Sequence, residues 1–249
     1  MRSVFITGAS GGLGRGLSLH FAKEGATVFA AARRKDELSR LRDEAPQGAI
    51  VPVPLDVQDS EALVKAIHRA EEEAGGALDM VIANAGIGQP TNARKMDWQV
   101  VKRILDVNVS AACVTLAAAL PKMVERNAGH VVAVSSLAAF RGMPGNASYC
   151  ASKAALHVWM ESVRVDLRAT GVRATTIYPG FVKTEMTAKN KFPMPFLMEL
   201  DDAVEVMARG LARGAKTIAF PMPMAALTRT LGAIPRSVYE PLAGKMRMF

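Results

Sequence analysis

A chain of 249 residues, half of them hydrophobic, is long enough to bury a full core and is expected to form one α/β domain over residues 1–249. Its 31 basic residues against 23 acidic ones leave a net charge of +8, an excess compatible with an anionic ligand, a nucleic acid or a membrane surface. Both signs interleave, as in Arg33-Arg34-Lys35-Asp36-Glu37, and no basic stripe carries aromatic residues, which argues against a DNA or RNA groove and leaves no nucleic-acid partner expected.

Short β-branched runs alternate with helical patterns from the start. Val4 to Thr7 precedes a helix from about Gly12, Thr27 to Ala31 precedes a second, and Ile50 to Pro54 precedes a third near Ser60. Met80 to Ala83 is followed by a long helix from Asp97 to Arg126, then by the strand His130 to Val134, a helix carrying Tyr149, and the strand Arg173 to Tyr178. Strands alternating with helices pair in parallel through right-handed crossovers, so a Rossmann-like doubly wound parallel sheet with helices on both faces is expected. Such sheets bind ligands at the carboxyl ends of their strands. The uncharged run Val107 to Leu120 is expected to be too short and too polar to cross a bilayer. Cys113 and Cys150 lie far apart in apolar helical contexts and no cleavable leader precedes the first strand, so a reduced, cytoplasmic protein is expected. His20, His68, His130 and His157 have no metal-ligand spacing and read as structural or surface residues, with no metal site.

The polar motifs fall at strand ends. Thr7-Gly8-Ala9-Ser10-Gly11-Gly12-Leu13-Gly14 follows the first strand and opens the first helix. Glycines permit a tight turn and close backbone approach to a pyrophosphate, whose charge a helix N-terminus favours. The spacing is G-x-x-x-G-x-G, not G-x-G-x-x-G, and an ordinary glycine turn is the bland alternative. The second strand ends in Ala32, Arg33 and Arg34 where an acid would read a free ribose 2′-hydroxyl. A guanidinium grips a 2′-phosphate instead, which points to NADP(H), with Arg33 the better candidate and Arg34 either over the adenine or solvated. Asp56, followed by Val57, is placed to meet the adenine amino group or to cap the next helix with Asp59 and Ser60. Asn84-Ala85-Gly86 ends the fourth strand with small residues. Asn108 interrupts an apolar helix, either capping an irregularity or holding a water. Finally, Ser135 and Ser136 end a strand, and Tyr149 and Lys153 stand four apart on a helix, where the ammonium is expected to pull the phenol pKa down and fit it for acid–base work.

In this order the motifs resemble the short-chain dehydrogenase/reductase family, in its single-domain form, from about Val4 to Thr184. The family's serine stands thirteen before its tyrosine, which selects Ser136 and leaves Ser135 as a strand-end hydrogen-bonding residue. The resemblance implies interconversion of a carbonyl and a secondary alcohol with NADP(H). Ser136 would hold the substrate oxygen, Tyr149 would move the proton, Lys153 would hold the nicotinamide ribose and Asn108 a connecting water. Pro179, Gly180, Val182 and Thr184 would shape the nicotinamide pocket. A homodimer or homotetramer is also implied.

Past Thr184 the family pattern ends. Residues from about 185 to 200 read as a mobile lid, apolar and broken by Pro193 and Pro195. Eight of the 14 methionines lie from Met186 onward, which fits a bulky hydrophobic small-molecule substrate, or plain core filling. Met143, Asn146, Phe181 and Met186 are the candidate pocket residues. The tail from Pro221 to Phe249 carries Arg229, Arg236, Lys245 and Arg247 against Glu240 among apolar residues. A peripheral membrane patch is one reading. Subunit packing or a cover for the cleft is preferred, because prolines interrupt any long amphipathic helix. Two other classes remain: an NADPH-sensing regulator, against which the intact Ser136, Tyr149 and Lys153 set speaks, and a membrane-surface scaffold working through the tail.

Overall fold

The computed structural model describes residues 2–190 and 192–244; Lys245 and Arg247 of the tail lie outside the described residues. Seven strands form one parallel sheet in the order β3-β2-β1-β4-β5-β6-β7: β1 (Ser3–Thr7), β2 (Thr27–Ala32), β3 (Ile50–Pro54), β4 (Met80–Ala83), β5 (Gly129–Val134), β6 (Val172–Pro179) and β7 (Thr217–Phe220). β1 and β4 are buried along their whole length, as central strands covered on both faces must be.

Alternate side chains feed two cores. Val4, Ile6, Val28, Val132 and Ile177 pack with Leu17 and Phe21 of α1 (Gly12–Lys23), Leu38 and Leu41 of α2 (Lys35–Glu44), and Met207 and Leu211 of α7 (Leu200–Ala212). On the other face Phe5, Phe29, Val81 and Val131 meet Leu63 and Ile67 of α3 (Ser60–Glu73), Leu116 and Met123 of α5 (Ala111–Glu125), and Leu156 and Met160 of α6 (Ala147–Asp166). The chain winds outward from β1 to β3, returns to β4, and continues to β7. The order therefore reverses between β1 and β4, and a crevice opens there at the strands' carboxyl ends.

The long helix expected from Asp97 to Arg126 is α4 (Trp98–Leu105) running into α5 through a π-helical segment, Asp106–Ser110. Asp97 caps it, its carboxylate accepting from Gln99 N at 2.9 Å. The span Trp98–Glu125 is 28 residues long and, by length and composition, apolar enough to cross a bilayer, so the uncharged run Val107 to Leu120, too short and too polar when read alone, understates the apolar helix around it. Val107, Ala111, Leu116, Ala119 and Met123 of this span are buried in the core on one face of the sheet, whereas Trp98, Leu105 and Val124 are exposed.

Sequence reading anticipated neither α7 nor β7. Gly210 makes their packing close, since a Cβ there would stand 2.5 Å from the Ile218 side chain. Beyond β7 the tail forms two short helices, α8 (Met222–Ala233) and α9 (Arg236–Gly244), divided at Pro235, in accord with the proline argument.

Candidate active site

At the reversal point Thr7 stitches β1 to β4. Its hydroxyl accepts from Asn84 N at 3.0 Å and Ala85 N at 3.1 Å, while Asn84 Nδ2 donates to Thr7 O at 2.9 Å. This holds the Asn84-Ala85-Gly86 loop against the glycine turn so closely that a Cβ on Gly8 would lie 2.9 Å from Ala85 Cα. Gly8 also has φ +70°, a conformation that only glycine adopts without strain. A Cβ on Gly14 would stand 2.4 Å from Gly8 O. The turn, with Ser10, Gly11, Gly12 and Leu13, delivers the N-terminus of α1, where no side chain caps the helix and no acid sits in the first turn. A bare backbone cradle at a positive helix end fits a pyrophosphate.

Arg33 follows β2, exposed, with Nη1 3.8 Å from Asp56 Oδ2. Of the two roles open to Asp56, capping falls to Asp59, whose carboxylate accepts from Ala62 N at 3.0 Å. Asp56 accepts from Gln58 N at 3.1 Å and stays at the rim, while Val57 is buried beneath it. Arg34 is not merely solvated. Its Nη2 donates to Ser10 O at 2.9 Å, its Nε to Ser10 Oγ at 3.2 Å, and its Nη1 pairs with Glu185 at 2.9 Å. The guanidinium thus lies over the glycine turn, 2.7 Å from where a Cβ on Gly11 would be.

Ser136 leaves β5 and starts a 3-10 turn, Leu137–Ala139, its hydroxyl accepting from Ala138 N at 3.1 Å and reaching Pro179 O at 3.4 Å. Ser135 bonds Lys153 O at 2.9 Å, the strand-end role expected of it. Tyr149 and Lys153 share one face of α6. Lys153 is buried, its Nζ donating to Val134 O at 3.0 Å and standing 5.8 Å from the Tyr149 ring centroid. Burial lowers the Lys153 pKa to about 8. The expectation that Lys153 pulls the phenol down is corrected for the chain alone: burial pushes the Tyr149 pKa up, and the opposing pull comes from the Ser136 hydroxyl. Dense packing around the phenol disfavours tyrosinate more than that hydrogen bond favours it.

Asn108 sits in the π-helical segment, so it does mark an irregularity. Its Oδ1 accepts from Ile87 N at 2.8 Å, and its Nδ2 donates to Ile87 O and to Ser152 Oγ, both at 3.0 Å. Both amide hydrogens are spent on protein, leaving an oxygen lone pair for any water. Gly86 lies between these groups: a Cβ there would be 3.4 Å from both Asn108 Oδ1 and Lys153 Nζ.

Met186 belongs with this site, because a Cβ on Gly88 would lie 3.7 Å from both Met186 Sδ and the Tyr149 ring. The segment from 185 to 200 is pinned at its base by a parallel bridge between Val182 and Met198, and Phe181 packs edge-on against Phe192 with centroids 5.9 Å apart. Thr184 stands over the start of α1, its Cγ2 3.3 Å from the position of a Cβ on Gly12. Gly180 N donates to Phe220 O at 2.7 Å, which fixes Pro179 and Gly180 to β7. Asn146, at the head of α6, bridges to Thr91, and its N donates to Met143 O at 3.1 Å.

The tail packs on the loop between Ser136 and Tyr149. Tyr239 OH donates to Gly142 O at 2.7 Å, and Arg141 lies 4.0 Å from the Tyr239 ring centroid while donating to Ile234 O at 3.1 Å. The described part of the tail thus rests on Arg141 and Gly142 of that loop. Thr91, Arg141, Ser152, Glu185 and Tyr239 were missed from sequence, since each acts through a partner distant in the chain.

The family pattern described as short chain dehydrogenase matches residues 2–193. An uncharacterized oxidoreductase of Myxococcus xanthus (strain DK1622) is 53% identical over 248 residues, 99% of this chain and 98% of that protein. A short chain dehydrogenase from Burkholderia cenocepacia J2315, solved in complex with NADP, is similar with TM-score 0.82 at 27% identity, over 97% of this chain and 99% of its own. The 3-ketoacyl-(acyl-carrier-protein) reductase from Brucella melitensis, complexed with NADH, is similar with TM-score 0.80 at 26% identity, over 88% of this chain and 96% of its own. With a glycine cradle at the reversal of a parallel sheet, and Ser136, Tyr149 and Lys153 at its far side, the chain belongs to the short chain dehydrogenase family of oxidoreductases.

Proposed function

We propose that this protein is an NADP(H)-dependent oxidoreductase that interconverts a carbonyl and a secondary alcohol on a hydrophobic small molecule, with Tyr149 as the acid–base group. The observation that carries it is the convergence of Ser136, Tyr149 and buried Lys153 beside Gly86, at the carboxyl edge of the sheet. The turn from Gly8 to Gly14 would hold the pyrophosphate, Asp56 and Val57 the adenine, Asn84 to Gly86 with Tyr149 and Lys153 the inner ribose, and Pro179, Gly180, Val182 and Thr184 the nicotinamide. Solved relatives carry either dinucleotide, so the choice rests on this chain. Arg33 and Arg34 stand where an acid would be needed to favour the unphosphorylated ribose.

When bound, the dinucleotide supplies or accepts a hydride at the substrate carbon. The chain handles the proton. Ser136 offers its hydroxyl to the substrate oxygen and steadies the charge that develops there. Tyr149, held protonated by burial, is loaded to donate to that oxygen in the reducing direction and to accept in the other. Lys153, still largely an ammonium at neutral pH with its pKa near 8, favours the tyrosinate left behind. Asn108 keeps Ile87 and Ser152 in register below it. Met186 and the lid exclude water and present apolar surface to the rest of the substrate.

The test is NADPH oxidation across aliphatic, aromatic, steroid-like, quinone and acyl-thioester carbonyls, with Tyr149→Phe in parallel. Turnover is expected to fall by at least about a hundredfold in the variant, with NADPH affinity changed less than threefold by fluorescence titration. Retention of wild-type turnover in the variant would sink the assignment.

A further inference from the structure

At the end of the sheet opposite the glycine turn, a notch of about 640 Å³ opens beside β6. β7 begins pairing only at Thr176 with Thr217, so the stretch of β6 from Val172 to Ala174 has no β7 partner and lines the notch. The last turns of α6 and the loop ahead of β7 wall it. Its lining carries Arg164, Arg168, Arg173 and Lys216, with Glu161 as the acid among them. Among the described residues none of these cations forms an ion pair, and Glu161 faces His157 at 3.6 Å.

One of the guanidinium groups is held in place. Arg164 Nη1 donates to Thr176 Oγ1 at 3.1 Å and to Lys216 O at 3.0 Å, which fixes it between α6 and β6. Arg173 lies against Gly214, its Nη1 3.1 Å from where a Cβ would stand, and Gly214 has φ +65°. A larger residue at 214 would displace that guanidinium as well as strain the turn. The charge of Arg173 is felt nearby: after burial, it is the second cause holding the His130 pKa down. Four cations gathered with a single acid among them raise the local potential and attract a multivalent anion. Guanidinium groups suit phosphate and carboxylate, which they meet with paired hydrogen bonds. The notch has room for a small anion of this kind.

We propose that this notch binds a small polyanion bearing two or more phosphate or carboxylate groups, at a site separate from the dinucleotide. Inorganic pyrophosphate is the probe, titrated calorimetrically at low salt into protein saturated with NADP+, so that the glycine turn is already filled. Saturation at one pyrophosphate per chain below about 1 mM is expected, with monophosphate at least about tenfold weaker. Arg168→Gln with Arg173→Gln changes two exposed residues on different elements. It should weaken pyrophosphate at least about tenfold and leave carbonyl turnover and melting temperature unchanged. Arg33→Ala with Arg34→Ala, at the other end of the sheet, should leave pyrophosphate binding as it was. The proposal is overturned by the absence of saturable binding. It is equally overturned if binding survives the notch variant but is lost in the Arg33 and Arg34 variant, or if the notch variant dissociates an oligomer without altering pyrophosphate affinity.

Discussion

His130 and Lys153 are both buried titratable groups whose pKa burial lowers, and from their different starting values they end in opposite charge states. Lys153 keeps a carbonyl acceptor and a pKa near 8, so it remains useful as a cation. His130 is fully buried in β5 with Nε2 2.7 Å from Thr175 Oγ1. Thr175 spends its single hydroxyl hydrogen on Ala215 O at 2.6 Å, so His130 must donate from Nε2, leaving Nδ1 bare. That Nδ1 is buried without a partner, and protonating it would bury an unpaired N–H and a charge. Its pKa accordingly falls from 6.5 to about 4, by burial first and Arg173 second, a displacement worth roughly 3 kcal/mol. Between those values the unfolded chain binds the proton and the folded chain does not. Stability is thus full above about pH 6.5 and drains as pH falls toward 4. His130→Gln retains a donor for Thr175 and cannot titrate. On going from pH 7 to 4.5, urea unfolding should show the variant gaining roughly 2 kcal/mol relative to wild type; parallel stability curves would refute the assignment. The sequence supports only the coarse statement that His130 is structural. Its tautomer depends on Thr175 and Ala215, 45 residues and more away.

Among elements, legibility follows the range of the interactions involved. Strands β1 to β6 announce themselves by local β-branched runs, and the helix caps Asp59 and Asp97 lie one residue ahead of the helices they serve. The glycine turn and the pair Tyr149 and Lys153 are likewise local patterns. β7 has four residues and no turn signal beyond Gly214 and Pro221, and it acquires its meaning only by pairing with β6. The segment from 185 to 200 is similar. Its apolar, proline-broken composition is visible, but its tether is the pair Arg34 with Glu185, separated by 151 positions. Both partners are substantially exposed, with side-chain exposures of 46% and 69%, so the pair is worth about 1 kcal/mol at most. Glu185→Gln should therefore raise amide exchange across residues 183–198 by no more than about fivefold, leaving α7 unchanged. Exchange in that segment equal to wild type would mean that the Val182 and Met198 bridge alone holds it.

At the scale of the molecule, the cradle binds the two halves of the sheet together. The glycine turn belongs to the half from β1 to β3, whereas Ser136, Tyr149 and Lys153 belong to the half beyond β4, and Thr7 with Asn84 is the seam. A dinucleotide spanning that seam contacts both halves only when they are folded and docked, so its binding free energy adds to global stability. At a hundred times its dissociation constant a ligand contributes about 2.7 kcal/mol. For a chain of this size that raises the melting temperature by roughly 5–10 °C. The charges at the rim decide which dinucleotide does so at a given concentration. Arg33 is exposed, with Asp56 3.8 Å away as a weak counter-charge, and Arg34 is shared with Glu185, so a 2′-phosphate entering there gains the stronger part of its attraction from Arg33. NADP+ should then stabilise the protein more than NAD+ at equal concentration, and Arg33→Ala should erase most of the difference while leaving the NAD+ shift intact. Equal shifts from the two dinucleotides in the wild type would show that the 2′-phosphate is not read at the end of β2, whatever the fate of Tyr149.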